Sequence, residues 1–240
     1  MMSATIALDG PKVEPARGRA SALIVLLHGY GADGNDLIGL VPYLQPVLSY
    51  AAFIAPHAPE GVPGHPFGRQ WFSLSRYDPD LLRPDLLRHG PGGAASIYQQ
   101  MHTGVKKVRP SLEALIEREL KRLDIGPDRL ALVGFSQGTM LALYAGLRRA
   151  QPPACLVGFS GALIGGERLK DEITCRPPIL LVHGDADPVV PVEALFAALG
   201  ALASADVTAQ WHISRGLGHS IDADGIELAK RFLADAFGNS

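Results

Sequence analysis

The chain has 240 residues, 47% apolar and 19% charged, with a formal net charge of −2. That length fits one domain spanning 1–240, and the apolar content supports a buried core rather than disorder. A near-neutral balance without a lysine or arginine run leaves no electrostatic footprint for nucleic acid and no polybasic membrane patch. The longest uninterrupted apolar runs, 22–27 among them, are six residues, far short of the ~20 that a membrane span requires. Met1-Met2-Ser3-Ala4-Thr5 lacks the basic start and apolar centre of a secretory signal, so a cytoplasmic location is expected. Cys155 and Cys175 are then expected as free thiols.

In chain order, Ala22-Leu23-Ile24-Val25-Leu26-Leu27 reads as a buried strand. It runs into His28-Gly29-Tyr30-Gly31, a glycine-rich turn able to aim a backbone N–H at a developing oxyanion. A loop and short helix over 36–48 lead to a second apolar strand, 50–55, ended by Pro56. From 61 to 110 the pattern degrades, with frequent Pro and Gly, and only 95–108 has a helical pattern. This stretch is too small for a second domain and too long for a plain connection, and is expected to form a pocket wall or partial lid. Its large rings, Phe67, Trp71 and Phe72, are expected to divide between core and substrate pocket. Ser111 has the position of an N-cap, followed by an apolar stripe at Leu112, Leu115, Ile116, Leu120 and Leu123.

The most informative segment comes next. Gly134-Phe135-Ser136-Gln137-Gly138 lies between the apolar run 129–133 and the helical pattern 139–145, which reads as strand, sharp turn and helix with a serine at the apex. A nucleophile held there stands above the sheet beside backbone N–H groups and the positive end of a helix. Ser160, in Gly158-Phe159-Ser160-Gly161 after strand 155–159, competes for the role but reads as a turn serine, because no helix with a well-formed apolar face starts after it. A serine of this kind requires an acid and then a histidine, each beyond a later strand. Strand 178–182 leads into His183-Gly184-Asp185-Ala186-Asp187, and after a helix over 192–203, strand 207–213 leads into Gly216-Leu217-Gly218-His219. A helix over 222–237 closes the chain. Spacing alone does not separate Asp185 from Asp187 as the acid. His28 and His183 read as buried, hydrogen-bonded scaffold histidines.

Alternating strands and helices imply a mostly parallel central sheet with helices on both faces, and ligands of such sheets bind at the carboxyl ends of the strands. Ser136, His219, the acid loop and Tyr30 all follow strands, so they should meet at one edge. His183, Asp185 and Asp187 are close in sequence, but no H-E-x-x-H helix, C-x-x-C pair or calcium loop is present, and no metal is expected. Gly29, Gly31 and Gly34 lack the lysine or ribose-binding acid of a phosphate loop.

Together the motifs resemble those of the phospholipase/carboxylesterase family of α/β-hydrolases, which includes acyl-protein thioesterases and small bacterial carboxylesterases. The likeness rests on L-L-H-G-Y-G-A-D-G-N-D-L at 26–37, Trp71-Phe72, G-F-S-Q-G at 134–138, H-G-D-A-D-P-V-V-P at 183–191 and G-L-G-H-S at 216–220. It spans the chain from about Leu8 to the final helix. Two departures are Ser73, where relatives often carry aspartate, and the Pro- and Leu-rich stretch 76–93. The resemblance implies an α/β-hydrolase fold without a full cap domain, Ser136, Asp187 and His219 as the catalytic set, and the backbone N–H groups of Tyr30 and Gln137 as the oxyanion site. It implies hydrolysis of acyl esters or thioesters without a cofactor, in a family whose members often form homodimers. Both departures lie where substrate is expected, so acyl preference does not come from the resemblance; the 61–110 stretch, short for a full cap and carrying Phe67, Trp71 and Phe72, is instead expected to leave a partly open apolar groove for small or lipid-like esters of short to medium acyl chains. Acyl transfer on the same residues, or a ligand-binding or interaction protein on a hydrolase scaffold, are the alternatives; the latter is expected to have lost a member of the set, and none is lost here.

Overall fold

The computed structural model describes residues 5–74 and 91–238, with side chains of 91–100 left aside. Strands β1 (Lys12–Val13) and β2 (Ala22–Leu27) are followed by short helices α1 (Gly34–Leu37) and α2 (Val41–Leu44), then strand β3 (Ala51–Ile54). A hairpin of β4 (Glu60–Val62) and β5 (His65–Gln70) precedes helix α3 (Pro91–Leu123). After it come β6 (Leu130–Phe135), α4 (Gln137–Gly146), β7 (Cys155–Phe159), α5 (Leu169–Glu172), β8 (Ile179–Gly184), α6 (Glu193–Ser204), β9 (Ala209–Ser214) and α7 (Ala223–Phe237).

Among the described residues, seven strands form one sheet in the order β1-β3-β2-β6-β7-β8-β9. All neighbours are parallel except the antiparallel β1–β3 edge. Each parallel strand feeds two cores by alternation: Leu23, Val25 and Leu27 face one side, Ala22, Ile24 and Leu26 the other. The first core is covered by α3, α4 and α6, the second by α1, α2 and α7. From β2 the chain turns outward to β3, whereas from β6 it proceeds the opposite way to β7. The switch point therefore lies between the carboxyl ends of β2 and β6, where Leu27 pairs with Gly134.

The structure departs from expectation mainly over 61–110. Its first part is the β4–β5 hairpin, and 75–90, most of the Pro- and Leu-rich stretch, lies outside the described residues. The two helices expected before and after Pro110 are one helix, α3, and Ser111 is inside it rather than at its start. An interior proline costs about 3 kcal/mol. Met101, Val105, Val108, Leu112, Leu115, Ile116 and Leu120 form one buried stripe that runs through the proline, and this burial outweighs that cost. The Ser111 hydroxyl instead accepts the Ile6 N–H at 2.9 Å. Both cysteines are free and buried, and burial pushes the Cys155 thiol up to about 12.

Candidate active site

The loop at the end of β6 turns on Ser136, which has φ +54° and ψ −116°, a strained conformation for a residue with a side chain. Its N–H is tied to the Phe159 carbonyl at 2.9 Å, and helix α4 begins at the next residue. A Cβ on Gly134 would sit 2.4 Å from the backbone of Gly138 and Thr139, and one on Gly138 would sit 1.8 Å from the Leu27 carbonyl oxygen. Any larger residue would push the elbow away from β2. That tight packing brings the turn after β2 to the serine: a Cβ on Gly29 would lie 3.4 Å from Ser136 Cβ.

The turn is fixed from beneath by His28, which is fully buried. Its Nε2 accepts the Ala58 N–H at 3.0 Å, so the ring proton is on Nδ1, which donates to the Gly29 carbonyl at 2.7 Å. Burial lowers the pKa of His28 against the weaker raising effect of that hydrogen bond, which keeps the ring neutral and able to accept. From the side, Gly31 N–H donates to the Arg69 carbonyl at 2.9 Å and Arg69 N–H to the Ala32 carbonyl at 3.0 Å, joining the turn to β5.

Beyond β8, the Asp187 carboxylate has every contact of a fixed anion. Oδ1 accepts the N–H groups of Val189 at 2.8 Å and Val190 at 2.9 Å. Oδ2 accepts His219 Nδ1–H at 2.7 Å. Burial alone would raise its pKa, but the hydrogen bonds from His219, Val190 and Val189 outweigh it and hold the carboxyl below its usual range. Asp185 takes another part: it is exposed and accepts the Gly216 N–H at 2.6 Å, bracing the loop that leads to His219. His183 is buried and donates Nε2–H to the Val190 carbonyl at 2.8 Å, closing the acid loop on itself. The His219 ring packs on Phe135, centroids 4.9 Å apart, next to Ser136. The Ser160 hydroxyl, itself at φ +46°, faces the Ser220 carbonyl at 3.4 Å.

Ser136, Asp187, His219 and the Tyr30 and Gln137 backbones therefore all follow the carboxyl ends of β2, β6, β8 and β9, with the turn after β2 and the His219 ring both packed against Phe135 and the serine elbow. Of the three rings expected to divide between core and substrate pocket, two lie in the core and do not line the cleft beside Phe67. Trp71 and Phe72 are 1% and 2% exposed and packed into the core, whereas Phe67 is 88% exposed on the hairpin. Phe67 lines a cleft of about 770 Å³ with Tyr30, Asp33, Asp36 and His65. The correction has a simple cause: Trp71 follows β5 where that strand is laced to the turn after β2, so its ring is drawn under the turn. Phe135 beneath the histidine was not singled out in the sequence. A large ring between two glycine-rich turns was the available signal. Among the described residues no group of three or more His, Cys, Asp or Glu is placed to hold a metal ion, and no helix is long and apolar enough to cross a membrane.

A strand-turn-helix serine, a later acid and a histidine joined to it, on a mostly parallel sheet, define an α/β-hydrolase. Residues 8–86 and 93–236 match the phospholipase/carboxylesterase family model, and the chain belongs to that family. Among solved structures, esterase PE8 is 38% identical with a TM-score of 0.84, covering 96% of this chain and 100% of that one. SOBER1 of Arabidopsis thaliana is 25% identical with a TM-score of 0.74, covering 91% of this chain and 100% of that one. Acyl-protein thioesterase 1 of Gibberella zeae is 26% identical over 233 residues, 93% of this chain and 94% of the relative.

Proposed function

We propose that the protein, as one domain over 1–240, hydrolyses carboxylic esters or thioesters of short to medium acyl chains through an acyl-enzyme on Ser136. The observation that carries this reading is the Asp187–His219 pair. With Nδ1–H committed to Asp187 at 2.7 Å, the neutral ring presents an unprotonated Nε2 as base. Ser136 Oγ forms the bond to the acyl carbon as its proton passes to Nε2, and Asp187 stabilises the imidazolium. The carbonyl electron pair moves onto oxygen, where the N–H groups of Tyr30 and Gln137 receive it; one such donor is worth about 3 kcal/mol of barrier. Collapse expels the alcohol or thiol, which takes the proton from His219, and water repeats the sequence to release the acid.

The exposed Phe67 and Tyr30 beside the cleft support an ester whose acyl or leaving group is apolar and lies against the hairpin. A homodimer belongs to the same reading, supported by the outer strand β9 and by Trp211 and Phe196, 53% and 50% exposed with rings 6.3 Å apart. So does cytoplasmic residence, supported by two free thiols. The test is reaction with a fluorophosphonate, followed by mass mapping of the adduct and a matched panel of oxyesters and thioesters graded by chain length. An adduct on Ser136, with turnover of either ester class, is the expected result. An adduct elsewhere, or none with no turnover, would overturn it. Light scattering of the protein and of Trp211→Lys tests the dimer.

A further inference from the structure

The motif residue Gln137 contributes more than a backbone N–H. Its side chain is 1% exposed, inside a helix whose residues 137–146 are all buried. A buried amide is costly unless both ends are matched, and here both are. Oε1 accepts the Trp71 N–H at 2.8 Å and Nε2 donates to the Phe72 carbonyl at 2.8 Å, so the amide is held by two consecutive residues of the main chain. Trp71 then passes the connection on: its indole Nε1–H donates to the His28 carbonyl at 2.8 Å, and its ring lies 5.1 Å from the His28 ring at 35°. His28 is the residue whose two ring nitrogens fix the Gly29 carbonyl and the Ala58 N–H. A continuous buried path thus runs from the first residue of α4 through Trp71 to the turn carrying Tyr30.

We propose that the side chains of Gln137 and Trp71 are positioning residues that set the distance between the two oxyanion N–H groups, those of Gln137 and Tyr30. The inference rests on the oxyanion reading given above and deepens it. The two donors come from separate segments, one at a helix start and one in a glycine-rich turn with Gly31 at φ +82°, and neither segment by itself fixes the other. A clamp of three 2.8 Å hydrogen bonds, all between buried groups, does so without touching the substrate. Donors preset for an oxyanion, rather than for the ground-state carbonyl, lower the barrier without tightening substrate binding.

Two variants test the clamp. Trp71→Phe keeps a ring in the core and removes the N–H aimed at His28 together with part of the indole's bulk, whereas Gln137→Met keeps the approximate shape of the amide and removes both of its hydrogen bonds without that loss of volume. Each is assayed with a p-nitrophenyl ester for kcat and KM. Each is also titrated with a trifluoromethyl ketone, whose carbonyl carbon bonds to Ser Oγ to leave an oxyanion, and with the matching trifluoromethyl carbinol, which cannot. The expected result is a fall in kcat of about 10- to 100-fold with KM changed less than twofold. Ketone affinity should fall by a similar factor while carbinol affinity is unchanged. If kcat is kept, or if KM, ketone and carbinol all weaken together, the two residues are ordinary packing and the proposal is overturned. Wild-type protein that neither turns over the ester nor binds the ketone would instead overturn the hydrolase reading itself, so the two failures are distinguishable.

Discussion

The two halves of the site are built differently. On the β2–β6 side, the segments proposed to carry the oxyanion donors are joined by the buried side chains of Gln137, Trp71 and His28, which hydrogen-bond in series and to the backbones of Phe72, Gly29 and Ala58. On the β8–β9 side, the proposed acid and base are held by loops: Asp187 is fixed by two backbone N–H groups, and His219, with 18% of its side chain exposed, rests on Phe135. The contrast matches the chemistry. Groups that stabilise developing charge gain most when they cannot move, whereas a base that takes and returns a proton needs a correct tautomer and contact with solvent near its other nitrogen.

The largest effect should come from the serine that both halves serve. Ser136→Ala should lower turnover by about 10⁶-fold, while Ser160→Ala, whose hydroxyl faces the Ser220 carbonyl, should lower it less than tenfold. A comparable loss at Ser160 would move the nucleophile to the neighbouring strand. On the loop side, Asp187→Asn should cost about 10⁴-fold by favouring the wrong histidine tautomer. Asp185→Ala removes the acceptor for Gly216 N–H and should act on thermal stability while leaving kcat within a few-fold. Kinetics of the two proteins at matched folded fraction separate the assignments, and the reverse ranking would exchange the two aspartates.

A smaller effect sharpens the same contrast through pH. Because the folded Asp187 carboxyl is held below its unfolded value, the unfolded state binds its proton first as pH falls. Its contribution to stability is complete above about pH 4, the unfolded carboxylate range, and is lost as pH drops through the lowered folded value. The stability gap between wild type and Asp187→Asn should therefore stay constant from neutral to mildly acid pH and narrow below about pH 4. Denaturant melts across that range would show it, and a gap that widens on acidification would contradict the hydrogen-bonding pattern. Smallest of all, Asp222, three residues beyond His219, turns its carboxylate to the start of α7 and accepts the Gly225 N–H at 2.8 Å. Asp222→Ala should cost about 1 kcal/mol in melts, with kcat unchanged.

The sequence by itself determined the strands, because a strand buried on both faces must be apolar along its whole length. Ala22–Leu27 and Cys155–Phe159 lie where the apolar runs place them, and the ends of β3, β6, β8 and β9 shift by one or two residues. It also placed Ser136 at a strand-to-helix turn, because Gly134 and Gly138 are where backbones approach within the reach of a Cβ. Tertiary structure decided what local pattern could not. Pro110 reads locally as a break, and only the continuous core contact of α3 shows why the helix passes through it. Asp185 and Asp187 are equivalent in spacing, and only the register of β8 beside β9 gives one to Gly216 and the other to His219. Trp71 reads as a large ring beside a pocket. Its indole N–H is directed to the His28 carbonyl by a contact 43 residues away in the chain, and long-range geometry of that kind is absent from any local window of sequence.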